Sequence, residues 1–161
     1  MTTLHMQSGV LIVGAGPTGL TLANLLGQAG IATIILDRKA STVAEPRAVS
    51  IDDESLRTMQ AIGLADEVLR DVVPGYGVHY FDRPGGHCFG KVEPTSTAYG
   101  FPKRNAFRQP LFEATLRKGM DRFASLTQCF NHELLSFTQD EQRVVAQVRN
   151  AAGEQITISA D

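Results

Sequence analysis

The chain has 161 residues, 43% hydrophobic and 20% charged, a balance that gives one soluble domain with a real buried core. Its formal charge of −2 and pI of ≈ 6.1, with basic residues scattered, remove any electrostatic case for nucleic acid or an anionic membrane surface. No apolar stretch approaches a membrane span, and the short apolar run at Val10 has no cations before it, unlike a secretory leader.

In chain order, Val10-Leu11-Ile12-Val13 predicts a strand buried on both faces, as in parallel sheets. The spacing of Leu20, Ala23 and Leu26, with Leu22 and Leu25, predicts a helix from Leu20 to Ala29 that stops at Gly30. Ile31 to Leu36 is a second continuous apolar strand, so the order implies a right-handed βαβ unit. A polar connection runs from Asp37 to Arg47. A helix is expected near Ser50, where Ser50 and Asp53 have capping-box spacing, running through Leu56 and Met59 to Gly63. Leu64 to Val73 reads as a short helix ended by Pro74-Gly75.

Val78 to Phe81 and Cys88 to Val92 flank Arg83-Pro84-Gly85-Gly86, the signature of an antiparallel hairpin. Gln109 to Gly119 is a helix with Pro110 in its first turn. Ser125 to Leu135 holds strand material. Arg143 to Arg149 and Gln155 to Ser159 form a second hairpin around Asn150 to Gly153. Cys88 and Cys129 are far apart and read as reduced, packed thiols in a cytoplasmic setting. His5, His79, His87 and His132 are isolated, so no metal site is expected.

Gly14, Gly16 and Gly19 give G-x-G-x-x-G, a weak pattern alone. Here a buried strand precedes it, a helix follows, and an acid ends the next strand. Gly14 allows the tight turn, Gly16 admits a pyrophosphate to the backbone, and Gly19 lets helix and strand pack closely. Pro17 suits a first helical turn, where its missing N–H is not needed. With Thr18, that turn offers free N–H groups and a positive dipole end to phosphates. Ala23 and Gly30 are expected to extend the small-residue face down the helix. Asp37 stands where a carboxylate accepts hydrogen bonds from ribose hydroxyls and would repel a 2′-phosphate, and Arg38 beside it joins the candidate cofactor-binding set. The competing explanations are a glycine turn without a ligand and an aspartate that merely caps a strand. The glycines do not choose between FAD and NAD.

Three strings go further: Val13 to Leu20, Pro46 to Gln60, and Arg104-Asn105-Ala106-Phe107-Arg108-Gln109-Pro110-Leu111-Phe112-Glu113. In this order they resemble the FAD-dependent aromatic-ring hydroxylases, and among them those acting on phenolic acids such as 3-(3-hydroxyphenyl)propionate. The resemblance implies bound FAD, NAD(P)H as transient reductant, O2 and a small aromatic substrate, and leaves a homo-oligomer open. It implies that Arg47 lies near the flavin cofactor as a cation for the pyrophosphate or an incoming nucleotide. It implies that Gln109 contacts FAD near its pyrophosphate and ribityl chain, with Arg108 a weaker neighbour. Asp52, Asp53 and Arg57 read as helix capping and surface pairing.

The family also carries two later flavin motifs, one with Asp-Gly and one with Gly-Asp, and this sequence contains neither pair. The expected fold class is therefore α/β, a Rossmann-like FAD/NAD(P)-binding βαβ with a parallel sheet plus antiparallel hairpins, as an incomplete domain. Residues 1–161 are expected to be the N-terminal part of an FAD-binding domain, inactive alone, without the substrate-binding portion. The cofactor carries the chemistry in such enzymes, so no Ser-His-Asp or paired-carboxylate constellation is needed; His79, Tyr80 and His87 read as structural or solvent-facing. A non-catalytic ADP-binding module and an NAD-dependent dehydrogenase are the rival classes.

Overall fold

The computed structural model describes residues 4–42, 46–94 and 97–161. In chain order, β1 (His5–Ser8), β2 (Val10–Val13), α1 (Pro17–Gln28) and β3 (Thr33–Asp37) come first. They are followed by β4 (Ser50–Asp52), α2 (Asp53–Ala61), α3 (Ala65–Leu69), β5 (Val72–Pro74), β6 (Val78–Phe81), β7 (Cys88–Val92) and β8 (Arg104–Phe107). The last are α4 (Gln109–Gly119), β9 (Leu126–Phe130), β10 (Glu133–Gln139), β11 (Val144–Arg149) and β12 (Gln155–Ala160). Contacts divide the chain into two units, Met1–Ala44 with Leu116–Asp161, and Glu45–Thr115.

The first unit is built on the expected βαβ. β2 pairs in parallel with β3, and β3 with β9, giving the order β2-β3-β9. The period-2 alternation of a strand sorts β3 by face. Ile34 and Leu36 join Cys129, Ala146, Val148, Ile156 and Ile158 in one buried cluster. The cluster lies against a four-stranded sheet of order β1-β12-β11-β10, in which β1 runs parallel to β12 and the others are antiparallel. Ile35 points to the opposite face, where α1 packs with Leu20 and Ala23 fully buried. A sheet covered on both sides explains why β3 reads as an unbroken apolar run.

β2 is the exception. Ile12 is buried, but Val13 is 52% exposed, because β2 is the edge of its sheet and its end opens at the glycine turn. The helix α1 starts earlier than its apolar spacing predicts, because Pro17 takes the first helical position and supplies a ready-made φ there. Small residues down the helix also divide differently from expectation. Gly30 is exposed and has φ 71°, so it is needed for the left-handed turn that ends the helix. The packing glycine is Gly27, whose Cβ would sit 2.5 Å from the ring of Phe123. Near it on the helix, Asn24 is fully buried and satisfied: its amide donates to the carbonyls of Leu20 and Leu116, both at 2.9 Å.

The second unit holds a three-stranded antiparallel sheet of order β4-β8-β5, two short helices and the predicted hairpin β6–β7. Ser50 lies in β4, and the cap of α2 is Asp52, whose carboxylate accepts from the Ser55 N–H at 2.8 Å. Aspartate is among the strongest N-caps, so the helix starts later than a serine cap would place it. Arg57 pairs with Glu54 one turn away on the exposed face. The helix expected from Leu64 to Val73 ends at Leu69, and Val72–Pro74 becomes an edge strand, a place that tolerates Pro74.

Asn105 at the centre of β8 is fully buried and ties this sheet together. Its amide donates to the carbonyls of Pro102 at 2.7 Å and Ile51 at 3.2 Å, and its oxygen accepts from the Gly75 N–H at 3.3 Å. Asn105→Ala strands these backbone groups and is expected to destabilise the protein by about 2 kcal/mol, read as a lower urea midpoint at unchanged slope. Residues 43–45, within the polar connection from Asp37 to Arg47, lie outside the described residues.

Candidate cofactor site

The glycine turn joins the end of β2 to the start of α1, at the C-terminal edge of a parallel sheet where ligands of such sheets bind. Each glycine has a separate geometric reason. Gly14 has φ 106°, outside the range side chains adopt, and its N–H donates to the Leu36 carbonyl at 2.8 Å. Gly19 faces the strand: a Cβ there would collide with the Gly14 carbonyl oxygen and lie 3.3 Å from Ile12. Gly16 is different. Its backbone is extended (φ −84°, ψ −175°), and among the described residues beyond its two chain neighbours no atom lies within 4 Å of where its Cβ would be. Among the described residues, no packing contact demands glycine at position 16.

Gly16 is the N-cap of α1 and provides no side-chain cap, and the first turn carries no acidic residue. The positive end of the helix dipole is therefore not answered from within the first turn. Pro17 fills the first position and Thr18 is exposed beside it.

Asp37 is half-buried at the end of β3. One carboxylate oxygen accepts from the Ala15 N–H at 2.8 Å and the other from the Lys39 N–H at 2.8 Å. It thus fastens the glycine turn to the strand end, and each oxygen keeps a second lone pair for a hydroxyl. The capping explanation and the ribose explanation are compatible in one residue. Asp37, Arg38, Val13, Gly14 and Leu36 line an open cleft of ≈ 340 Å³ together with His132, Glu133 and Leu134.

No motif in the sequence singles out these last three residues. They sit where β9 ends and the chain turns into β10, with Asn131 at φ 57°. The His132 N–H donates to the Asp37 carbonyl at 2.9 Å, and the Asn131 N–H to the Lys39 carbonyl at 3.1 Å. The signal that could have found them is the pairing of β9 beside β3, since its C-terminal end must then lie next to Asp37. Cys129, one residue before that end, is a core residue; burial pushes its thiol pKa up.

In the second unit the structure brings Arg47 and Gln109 together. Arg47 is exposed, while Gln109 is 3% exposed. The Gln109 Oε1 accepts from the backbone N–H groups of Arg47 at 2.8 Å and Ala48 at 2.9 Å, and its Nε2 donates to Glu113 at 2.7 Å. The acceptor end of this side chain is filled from within the protein. Arg108 points elsewhere, into an ion pair with Asp71. No group of three or more His, Cys, Asp and Glu that could hold a metal occurs among the described residues.

The residues present fit an ADP-bearing cofactor: a turn with room for a phosphate at Gly16, an open helix N-terminus, and a carboxylate at the lip of a cleft. The FAD binding domain family matches residues 7–161. A 3-(3-hydroxy-phenyl)propionate/3-hydroxycinnamic acid hydroxylase of Comamonas testosteroni is 43% identical over 154 residues, 96% of this chain and 26% of that protein. The protein of that name from Shigella sonnei is 40% identical over 94% of this chain and 27% of its own length. The chain thus spans about a quarter of the curated relatives it matches. Among solved structures, the flavin-dependent monooxygenase PieE, in complex with FAD and substrate, superposes with a TM-score of 0.85 at 24% identity, over 97% of this chain and 29% of its own. The p-nitrophenol 4-monooxygenase PnpA from Pseudomonas putida gives 0.85 at 22% identity, over 98% and 40%. These likenesses place the fold among the FAD-binding monooxygenases.

Proposed function

This chain belongs to the FAD-binding domain family, and on that premise we propose that it holds the ADP half of FAD in an aromatic-ring monooxygenase. Gly16 carries the reading: it is glycine where the chain itself leaves room for a side chain, at the mouth of a helix whose N–H groups can take a phosphate. Gly14 and Gly19 shape that turn. Pro17 and Thr18 open the helix toward the pyrophosphate, and Asp37 accepts the ribose hydroxyls. Arg38 and the cleft at His132 to Leu134 receive the rest of the adenosine. For Arg47 and Gln109 the support is the family match. Arg47 supplies a cation for the phosphates, and Gln109 holds the backbone from which Arg47 extends.

Bound FAD would supply reductive activation of O2, with NAD(P)H as the electron source, for hydroxylation of a phenolic acid such as 3-(3-hydroxyphenyl)propionate. The protein's part in such chemistry is to bind and orient the cofactor and to keep water away from it. The named relatives, hydroxylases of that acid at about 40% identity, support this substrate class. Residues 1–161 are proposed as the N-terminal part of the cofactor domain, with the substrate-contacting groups and any subunit interface elsewhere in a longer protein. A reducing, cytoplasmic setting suits both the chemistry and the free thiols of Cys88 and Cys129.

The test is an absorbance spectrum and FAD titration of the purified protein. A yellow protein with one FAD per chain supports the reading. A colourless protein that binds ADP but not FAD sinks it in favour of a nucleotide module, and NAD binding without flavin does so in favour of a dehydrogenase. Asp37→Ala removes the ribose acceptor and the clasp on Ala15 together. It is expected to weaken FAD binding by about 1–3 kcal/mol, measured as the shift in the FAD titration midpoint.

A further inference from the structure

The side chain of Gln109 sits between two kinds of partner that leave it one orientation. The N–H groups of Arg47 and Ala48 can only donate, at 2.8 and 2.9 Å, and the Glu113 carboxylate on the other side accepts, at 2.7 Å. Gln109 and Glu113 are one turn apart on the same face of α4. Both are nearly sealed from solvent, 3% and 1% exposed. If the Gln109 amide turned over, its NH2 would meet two backbone N–H groups and its oxygen would meet a carboxylate. In a buried setting each such mismatch leaves a polar group unpaired.

We propose that Glu113 is a positioning residue: by accepting a hydrogen bond from Gln109 Nε2 it directs the Gln109 oxygen at the Arg47–Ala48 backbone and so fixes where the Arg47 side chain begins. The proposal rests on the reading of Arg47 as a ligand of the cofactor phosphates. It extends that reading inward to a residue that touches no cofactor. Arg47 follows a proline, and no regular element holds it before β4 begins at Ser50. The two hydrogen bonds that the Arg47 and Ala48 N–H groups donate to Gln109 Oε1 are its anchor, and Glu113 is what makes those bonds directional.

The arrangement predicts an exchange experiment. In Q109E two buried carboxylates face each other. In Q109E/E113Q the carboxylate now at position 109 still accepts from Arg47 and Ala48, and the amide now at position 113 donates to it. FAD titration and backbone hydrogen exchange at Arg47 and Ala48 are read on the full-length protein, with R47A as the reference. Q109E is expected to weaken FAD binding about tenfold or more and to speed exchange at both amides. E113Q alone is expected to stay near the parent, and the double variant to recover to within about threefold of it. A double variant no better than Q109E overturns the proposal, and so does an E113Q as damaged as Q109E. If Q109E does not fold, E113A decides the point: unchanged protection of the Arg47 and Ala48 amides overturns the proposal, and lost protection supports it. R47A binding FAD like the parent removes the phosphate role of Arg47, while the exchange data still judge Glu113 by themselves.

Discussion

Gly16→Val is expected to cut FAD affinity by at least about 100-fold, about 2.8 kcal/mol, while leaving thermal stability within about 2 °C of the parent. The two halves of this expectation have separate causes. At φ −84° and ψ −175° the backbone of residue 16 is extended, a conformation valine adopts readily, and among the described residues beyond its two chain neighbours no atom lies within 4 Å of its Cβ. The fold therefore has no reason to change. A phosphate accepting hydrogen bonds from the start of α1 must come within about 3 Å of those nitrogens, and a branched side chain would occupy that approach. FAD titration and a thermal melt of the same variant check both halves. Unchanged affinity would show that the phosphates do not approach over residue 16.

Gly19→Ala, only three residues away, is expected to give the opposite pattern. Its single added methyl meets the carbonyl of Gly14, oxygen and carbon alike, and Ile12 at 3.3 Å. A backbone carbonyl cannot rotate aside as a side chain can, so α1 and β2 must move apart. Overpacking against a fixed group is expected to remove about 3 kcal/mol or more of stability, seen as a lower urea midpoint before any effect on cofactor is considered. A midpoint equal to the parent's would mean that helix and strand separate freely at this point. Two glycines of one motif thus divide the labour, one reserved for a ligand and one for the fold.

The first unit is largely legible in the sequence because its signals are local. An apolar strand, a glycine turn, a helix with a small-residue face and an acid at the next strand end all lie within residues 8–37, and the structure has each of them. The departures there concern the start of α1 and which residues are packed. Val13 reads as buried because an apolar run says nothing about which strand is an edge, and Gly30 takes on paper the packing role that belongs to Gly27. In the second unit β8 carries a fully buried asparagine, and no pattern in one sequence says that a polar residue is the centre of a sheet. Asp52 outcompetes Ser50 as a cap because Ser50 is claimed by pairing with Ala106 across the sheet.

The site shows the same division between near and distant. Gly14, Gly16, Gly19 and Asp37 can be read from spacing. The cleft residues His132 to Leu134 require knowing that β9 lies beside β3, a pairing across the whole second unit. Gln109 can be placed near the cofactor only by resemblance, and its three hydrogen bonds show what resemblance does not: the partner it serves is the backbone of Arg47 and Ala48.

The pairing of β1 with β12, in register from His5 with Thr157 to Ser8 with Ala160, bears on how the molecule is born. During synthesis the glycine turn and its two strands leave the ribosome early and can close by themselves, since α1 is a short crossover. The far face of β3, with Ile34 and Leu36, has no cover until β11 and β12 are made. A nascent chain therefore carries an open apolar sheet through the whole translation of the second unit, and the pairing of β1 with β12 closes a loop that contains that unit. Until β12 is made, that apolar face is exposed to association with other chains.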